Sequence, residues 1–570
     1  MKKRNLLTLN LLTLLLATSC NNGENPSNNT TQDSQTSEKD STKNSETSSI
    51  NSSTSLPQRP QGQKIVIYAG GSSEFSWVAG SKEKEVIDYI CNLYYSETGN
   101  SIDFDINFLG EDMQTKLSSE LAAGTQVDIV ISHTRGGNGV DDKLKGSDKH
   151  YNLYDALYDF APNLYDAVSG DPLNSLTTFT NDVIGIPSVI NPYKFGALVR
   201  KDLMEACGYT DDIEKSKVEF KDGKNYELVD NLDTFTDMCL AMNELTGNSY
   251  AVTGAAWDIE KVFIGAYCDA GYFSSSLVVE NGQELIMSGG STTAYQDMLK
   301  REYDWATSGV ISRDANSILL EEGESNFIAG KTGVFLLDPT IQHLIKVSRM
   351  TKNQIPEATF TVLGALKAHK DSTKKGSMKN PEATFAATIT KSTKCINQIM
   401  SFLNWVYESE ENYNLCRYGI EGEHWINNHD GTYSYPKGKE IYATQPAYSG
   451  ILTLVENQRM SNLVYSGYSK EELHWINDIA GNPDNYVSND VMNYMFESTD
   501  EYNVKLAAAG DKLYSMAVEA WTGKTDPTSK YQNTNKTVYQ YIIEQYNSQV
   551  NEIQKYNTTQ YKTMKAERTE

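Results

Sequence analysis

The sequence predicts an α/β fold of at least two domains, and three observations carry that reading. Short β-branched runs alternate with helix-spaced segments between residues 64 and 131. Each of the outer two runs stops at a glycine-containing loop, as strands of a buried parallel sheet do. The chain then continues far beyond the ~100–200 residues that one domain usually holds.

The elements follow in order. Lys64-Ile65-Val66-Ile67-Tyr68 is an apolar, β-branched run ending at Ala69-Gly70-Gly71 and reads as a buried strand. Glu83 to Tyr95 carries Val86, Ile87, Ile90, Leu93 and Tyr94 at helical spacing. Ile102 to Leu109 alternates as a strand. Met113 to Ala123 reads as a helix closed by Gly124, and Val127 to Ile131 is a second buried strand. Ligands of such sheets sit beyond the C-terminal strand ends, which singles out the loops 70–78 and 133–139. Further on, strands are expected at Lys194–Val199 and Phe385–Ile389, and helices at Thr234–Leu245, Ile396–Tyr407 and Thr537–Tyr561.

The N-terminus supplies an address. Lys2, Lys3 and Arg4 precede a leucine-rich stretch, Leu6 to Leu16, and Ala17-Thr18-Ser19 precede Cys20. These are the three parts of a secretory signal. The stretch is about half the ~20 residues that cross a bilayer. Cysteine at the cleavage point is the bacterial lipoprotein arrangement, so Cys20 is the expected lipidation site. Residues 21–62 are rich in Ser, Thr and Asn, and cannot bury enough surface to offset ordering. As a flexible coil that tether would reach roughly 35 Å.

Composition excludes several classes. A formal net charge of −25 argues against nucleic acid and anionic lipid surfaces. Apart from Cys20, the cysteines are Cys91, Cys207, Cys239, Cys268, Cys395 and Cys416, scattered without a C-x-x-C pair. That is neither a disulfide scaffold nor a zinc site. Glu421, Glu423, His424 and His429 cluster in sequence, but their spacing fits no metal motif. Gly70-Gly71 lacks the following residues of a phosphate loop. No nucleophile elbow, H-E-x-x-H or Ser/His/Asp framework is present.

Several segments, taken in order, resemble the extracellular solute-binding proteins of ATP-driven importers, in particular those for sugars and oligosaccharides. The segment Ala122 to Val130 resembles the family's motif at the third strand of the first lobe. Ile184-Gly185-Ile186-Pro187 with Leu198 to Leu203 resembles the passage into the second lobe. Phe327 to Phe335 resembles the Phe-x-x-Gly-Lys turn, and Arg417 to Trp425 a stretch of the aldouronate-type lipoproteins. The resemblance implies a periplasmic-binding-protein-like fold: two α/β lobes joined by hinge crossings, with the ligand between them. The implied segments are a signal over 1–20, a tether over 21–62, lobe 1 over 63–185 and 383–447, and lobe 2 over 186–382 and 448–570, the last helical.

The implied function is capture of a carbohydrate by lobe closure and its delivery to the permease subunits of an ABC transporter. The chain is expected to be monomeric, outside the cytoplasm, attached to the membrane by lipid alone, and without catalytic residues, cofactor or metal. An anchored glycan-active enzyme and a non-transport glycan receptor are the alternatives. Trp77, after the first strand, either stacks on a sugar ring or packs under its own loop. Arg135, after the strand ending at Ile131, either offers its donor fork to hydroxyl pairs or a carboxylate or is an exposed surface arginine. By resemblance Trp257 and Asp258 are an aromatic and acceptor pair of lobe 2, and Asp338 is a cleft residue after the strand Val334 to Leu337. Trp425, in the subfamily-like stretch, either contacts the ligand or packs at the surface. Tyrosine, at 35 residues, suits sugar contacts and interlobe packing equally and selects no site.

Overall fold

Two β-sheets, each buried on both faces, organise the chain. The computed structural model describes residues 56–72, 75–110, 112–133, 149–218, 225–280, 282–373, 376–378 and 385–569. Cys20, most of the tether and Arg135 therefore lie outside the described residues. In chain order the main strands are β1 (Gln63–Ser72), β2 (Ile102–Gly110), β3 (Ile129–His133) and β4 (Ile186–Pro187). Then come β5 (Ala197–Arg200), β6 (Val252–Thr253), β7 (Val334–Phe335), β8 (Phe360–Leu363) and β9 (Phe385–Ile389).

The first sheet has the order β2-β1-β3-β9-β4. The strands β2, β1 and β3 are parallel, and β9 returns antiparallel to β3 and β4. Alternation along β1 explains its burial. Ile65, Ile67 and Ala69 enter one core with Val86, Ile90, Cys91 and Tyr94 of helix α1 (Glu83–Thr98). Val66 and Tyr68 point the other way, onto Met113 and Leu117 of helix α2 (Met113–Ala123). Gly99, at φ 75°, ends α1 in the left-handed conformation that glycine adopts without strain. This is the βαβαβ unit expected from the sequence, with the third strand set two residues later than its apolar run.

The second sheet has the order β8-β5-β7-β6. Only β7 and β6 are parallel. Ala197 and Val199 of β5 enter a core with Phe235, Phe263 and Trp305, while Leu198 faces Phe335 and Leu344. Helices α3 (Ala256–Phe263), α4 (Gln296–Ser308) and α5 (Ile341–Gln354) flank this sheet. Helix α6 (Glu410–Tyr418) belongs to the first core, and the long helices α7 (Asp500–Trp521) and α8 (Val538–Thr569) to the second.

The chain passes between the two cores three times. The first passage leaves β4 at Ser188 and enters the second core at Phe195. The second ends at Phe385, and the third runs through Glu456 and Asn457. The passages run side by side. Ser188 N–H donates to the Phe385 carbonyl at 2.8 Å, Val189 N–H to that of Glu456 at 2.9 Å, and Gln458 N–H back to that of Val189 at 2.7 Å. Tyr448, Ile451, Leu452, Leu454 and Val455 all pack in the first core, so the third passage lies beyond the boundary expected at 447.

Candidate functional site

A cavity of about 260 Å³ opens where the three passages meet. Ser188 and Ile190 of the first, Phe385 of the second, and Val455 and Glu456 of the third line it, together with Trp77, Arg417 and Ser449. It is thus floored by the segments that connect the lobes, and Trp77 follows the C-terminal end of β1, where α/β sheets place ligands.

The loop bearing Trp77 is pinned from below. Lys82 N–H donates to the Ala447 carbonyl at 2.7 Å, and Ser81 N–H to that of Pro446 at 3.2 Å. A Cβ on Gly80 would lie 2.3 Å from the Ala447 carbonyl oxygen, so only glycine lets the two backbones approach. Glu83 closes the link: it accepts from Gly80 N–H at 2.8 Å, and from the Ser449 N–H and hydroxyl at 2.8 and 2.6 Å. Burial raises the pKa of the Glu83 carboxyl, and these three hydrogen bonds oppose the rise. Trp77 is half-buried against the first core, leaving part of its ring for the cavity.

Arg417, at the end of α6, donates through Nη2 to Glu456 Oε2 at 3.0 Å. Burial opposes the arginine's charge, but Glu456 together with Tyr413, Tyr418 and Tyr433 outweighs it and keeps the guanidinium protonated. Gly450, at φ 75°, places its backbone against the Arg417 carbonyl, where a Cβ would sit only 2.6 Å away.

From Arg417 a run of aromatic rings crosses from the first core to the second. Tyr418 lies 5.0 Å from Trp425 and 5.1 Å from Tyr433. Tyr433 lies 5.6 Å from Tyr465, Tyr435 lies 5.4 Å from Tyr465, and Tyr465 lies 5.7 Å from Tyr468. Arg349 of α5 caps the run, 5.4 Å over Tyr468 and bound bidentately to Glu472 at 2.6 and 2.7 Å. A three-stranded ribbon, Ile426–Asn427, Thr432–Ser434 and Val464–Tyr465, holds these rings in register. Burial pushes the Tyr433 hydroxyl's pKa up, so it remains a hydrogen-bond donor at neutral pH. Aromatic faces with adjacent hydroxyls suit a ligand having both apolar and polar edges.

The sequence-predicted residues do not all converge. Trp77 lines the cavity. Trp257, 38% exposed, and Asp258 open α3 just past the end of β6. Asp258 is buried and paired with Lys261 at 3.3 Å, and Lys261 and Lys194 both lie 5.9 Å from the Phe195 ring, at the second-lobe end of the first passage. Asp338 follows β7 as expected but is committed inward. At φ 52° it holds His343 Nδ1 at 2.7 Å, and Nε2 of that ring meets Glu324 at 2.7 Å. Trp425 is buried, with its indole N–H on the Gly419 carbonyl at 2.8 Å, so it backs Tyr418 instead of offering a face of its own. The tyrosine run and Arg417–Glu456 were not singled out from sequence.

Among the described residues, Glu85, Glu423 and His424 bring one candidate ligand atom each within 4.8 Å of the others. The geometry suits hydrogen bonds better than a metal. His424 Nδ1 accepts from Ile420 N–H at 3.1 Å, so the neutral ring carries its proton on Nε2 and has no free lone pair. Lys82 already pairs with Glu85 at 2.9 Å.

The sequence matches no family model and no curated protein. The fold has clear counterparts. It is similar to the N-glycan transport solute-binding protein NgtS of Streptococcus pneumoniae (TM-score 0.59, 14% identity, 88% of this chain and 99% of that one). The chain has the two-lobed fold of solute-binding proteins. The alginate-binding protein AlgQ2, in its calcium-free structure, gives a TM-score of 0.60 at 12% identity, covering 89% of this chain and 99% of that one. An extracellular solute-binding protein of Bifidobacterium longum subsp. infantis gives 0.60 at 11%, covering 88% and 98%. Among the described residues no helix is long and apolar enough to cross a membrane.

Proposed function

We propose that this chain is the extracytoplasmic solute-binding component of an ABC importer and carries an oligosaccharide in the cleft between its lobes. One observation carries the reading: the cavity at the three passages holds Trp77 and opens beside a tyrosine run that reaches both cores. A ligand touching both lobes stabilises the closed arrangement, because only there are both sets of contacts made. In the same reading Trp77 and Trp257 are the ring platforms of the two lobes, with Tyr418 between them. The lobes divide as the two cores do, with the first lobe extending to Val455. Arg135 remains a proposed contact of the first lobe.

The names of the structural counterparts support the substrate class: N-glycan transport for NgtS and alginate binding for AlgQ2. An enzymatic role is disfavoured by the site itself. Glycoside hydrolysis uses two carboxyl groups ~5–9.5 Å apart. Among the described residues the cavity lining offers one, Glu456, already engaged by Arg417. The protein acts as a monomer held to the membrane by lipid on Cys20, with permease subunits as its partners.

A glycan panel read by thermal shift tests the function. One class of oligosaccharide raises the melting temperature in a concentration-dependent way, without release of shorter sugars. No shift with any glycan, or hydrolysis of the ligand, overturns the proposal. Cys20→Ser tests the anchor: the protein should leave the membrane fraction, and continued membrane retention would refute lipidation at this residue.

A further inference from the structure

We infer that the cleft selects uncharged sugars, and that Glu456 is the residue that refuses acidic ones; this rests on the carbohydrate reading above. Among the described residues, the only charged groups lining the cavity are Arg417 and Glu456, and they neutralise each other at 3.0 Å. Both are held in place. Glu456 Oε1 accepts from Gln458 Nε2 at 3.3 Å, its backbone carbonyl takes Val189 N–H, and Arg417 is fixed by Gly450 against its own carbonyl. The cation that caps the tyrosine run is spent in the same way, since Arg349 is bound on two nitrogens by Glu472.

The chemistry follows from the pairing. A uronate or sialate carboxylate approaching Arg417 would meet Glu456 already there and bring a second negative charge beside it. Neighbouring like charges resist being held together, most strongly where water is partly excluded. A neutral sugar has no such conflict. Its vicinal hydroxyls can accept from the guanidinium's remaining N–H groups and donate to the carboxylate's remaining lone pairs, so one ion pair serves both directions of a diol. Ser188 and Ser449 line the same cavity with hydroxyls already bonded to Phe385 N–H and to Glu83, and Trp77 supplies the apolar face. The overall charge of −25 acts in the same sense, slowing the approach of anionic chains.

The test compares mannotriose, xylotetraose and maltotetraose with trigalacturonate and a mannuronate trimer, by calorimetry on the intact protein and on Glu456→Gln. The wild type should bind at least one neutral probe and bind each uronate at least about 10-fold more weakly. Glu456→Gln should raise uronate affinity about 10-fold or more, the value of roughly one unopposed charge pair. Salt dependence gives a second readout that needs no variant: wild-type affinity for the neutral probe should stay within about twofold between 50 and 500 mM salt. Uronates binding the wild type as tightly as neutral sugars, strong salt weakening, or a folded Glu456→Gln with an unchanged preference would overturn the inference. In those cases the carbohydrate reading survives. Binding of no glycan at all removes both.

Discussion

The ring of Tyr418 lies 5.0 Å from that of Trp425, whose indole N–H is fixed on the Gly419 carbonyl at 2.8 Å. Tyr418 is half-buried and Trp425 is 3% exposed, so the pair divides the work. Trp425 sets the position, and Tyr418 presents the face. Tyr418→Ala should therefore weaken oligosaccharide binding by ~1–3 kcal/mol with little change in melting temperature. Trp425→Ala should cost ~3–5 kcal/mol of stability, because it empties a buried site. Calorimetry and thermal melts on both variants check this; equal stability losses in the two would remove the distinction.

Trp77 is held at the cavity by a loop whose anchors, Gly80 and Glu83, do not involve its ring. Trp77→Ala should consequently leave the fold intact and reduce affinity by ~1–3 kcal/mol, and Trp257→Ala should do likewise if the second lobe closes on the same ligand. Tryptophan emission should shift on ligand addition in the wild type and shift less in each variant. Unchanged affinity in both would take these rings out of the site.

The first sheet could be read from the sequence because each of its elements is local. Ile65, Ile67 and Ala69 alternate with Val66 and Tyr68, and α1 repeats its apolar residues at helical spacing. The site could be read only in part. Trp77 follows a recognisable strand, and that signal is positional. Tyr418, Tyr433, Tyr465 and Tyr468 meet only through three-dimensional packing, and in a chain with so many tyrosines nothing local marks those four. The third passage escaped for a different reason. Its run from Val455 to Gln458 is short and extended, with no periodicity, so the chain's stay in the first core through Tyr448–Val455 left no boundary signal. Asp338 shows the limit of positional inference: it stands where a cleft residue belongs, yet a histidine five residues on turns it inward.

That histidine predicts a pH dependence. Burial alone would lower the pKa of His343, but hydrogen bonds and charge interactions with Asp338 and Glu324 raise it from 6.5 to about 9. The folded value exceeds the unfolded one, so the folded state binds the extra proton. The stabilisation is fully present below about pH 6.5 and is lost as pH rises through about 9. His343→Gln, which leaves the buried Asp338 without its cation and Glu324 with Lys346 alone, should cost about 3 kcal/mol at pH 6. The gap to wild type should narrow steadily towards pH 10 in paired thermal melts. A gap that does not change with pH would mean that packing, not charge, explains the loss.

A second pH effect should come from the core of the second lobe. Glu260 and Glu302 are both buried there. Glu260 accepts from the Tyr295 hydroxyl and from Tyr272 N–H at 2.8 Å, and Glu302 accepts from the Trp521 indole N–H at 2.8 Å. Burial pushes Glu260 up to about 7, and burial together with the charge of Glu260 pushes Glu302 well above the carboxylate range. Here too the folded state holds protons that the unfolded chain releases above about pH 4.5, so stability falls as pH rises from 4.5 through about 7 and beyond. Gln keeps the shape and the acceptor for Trp521 while removing the need for a proton. Glu302→Gln should match the wild type near pH 5 and melt at a higher temperature at pH 8. A variant less stable than wild type at both pH values would show that Glu302 is ionised in the fold and that its charge is compensated there.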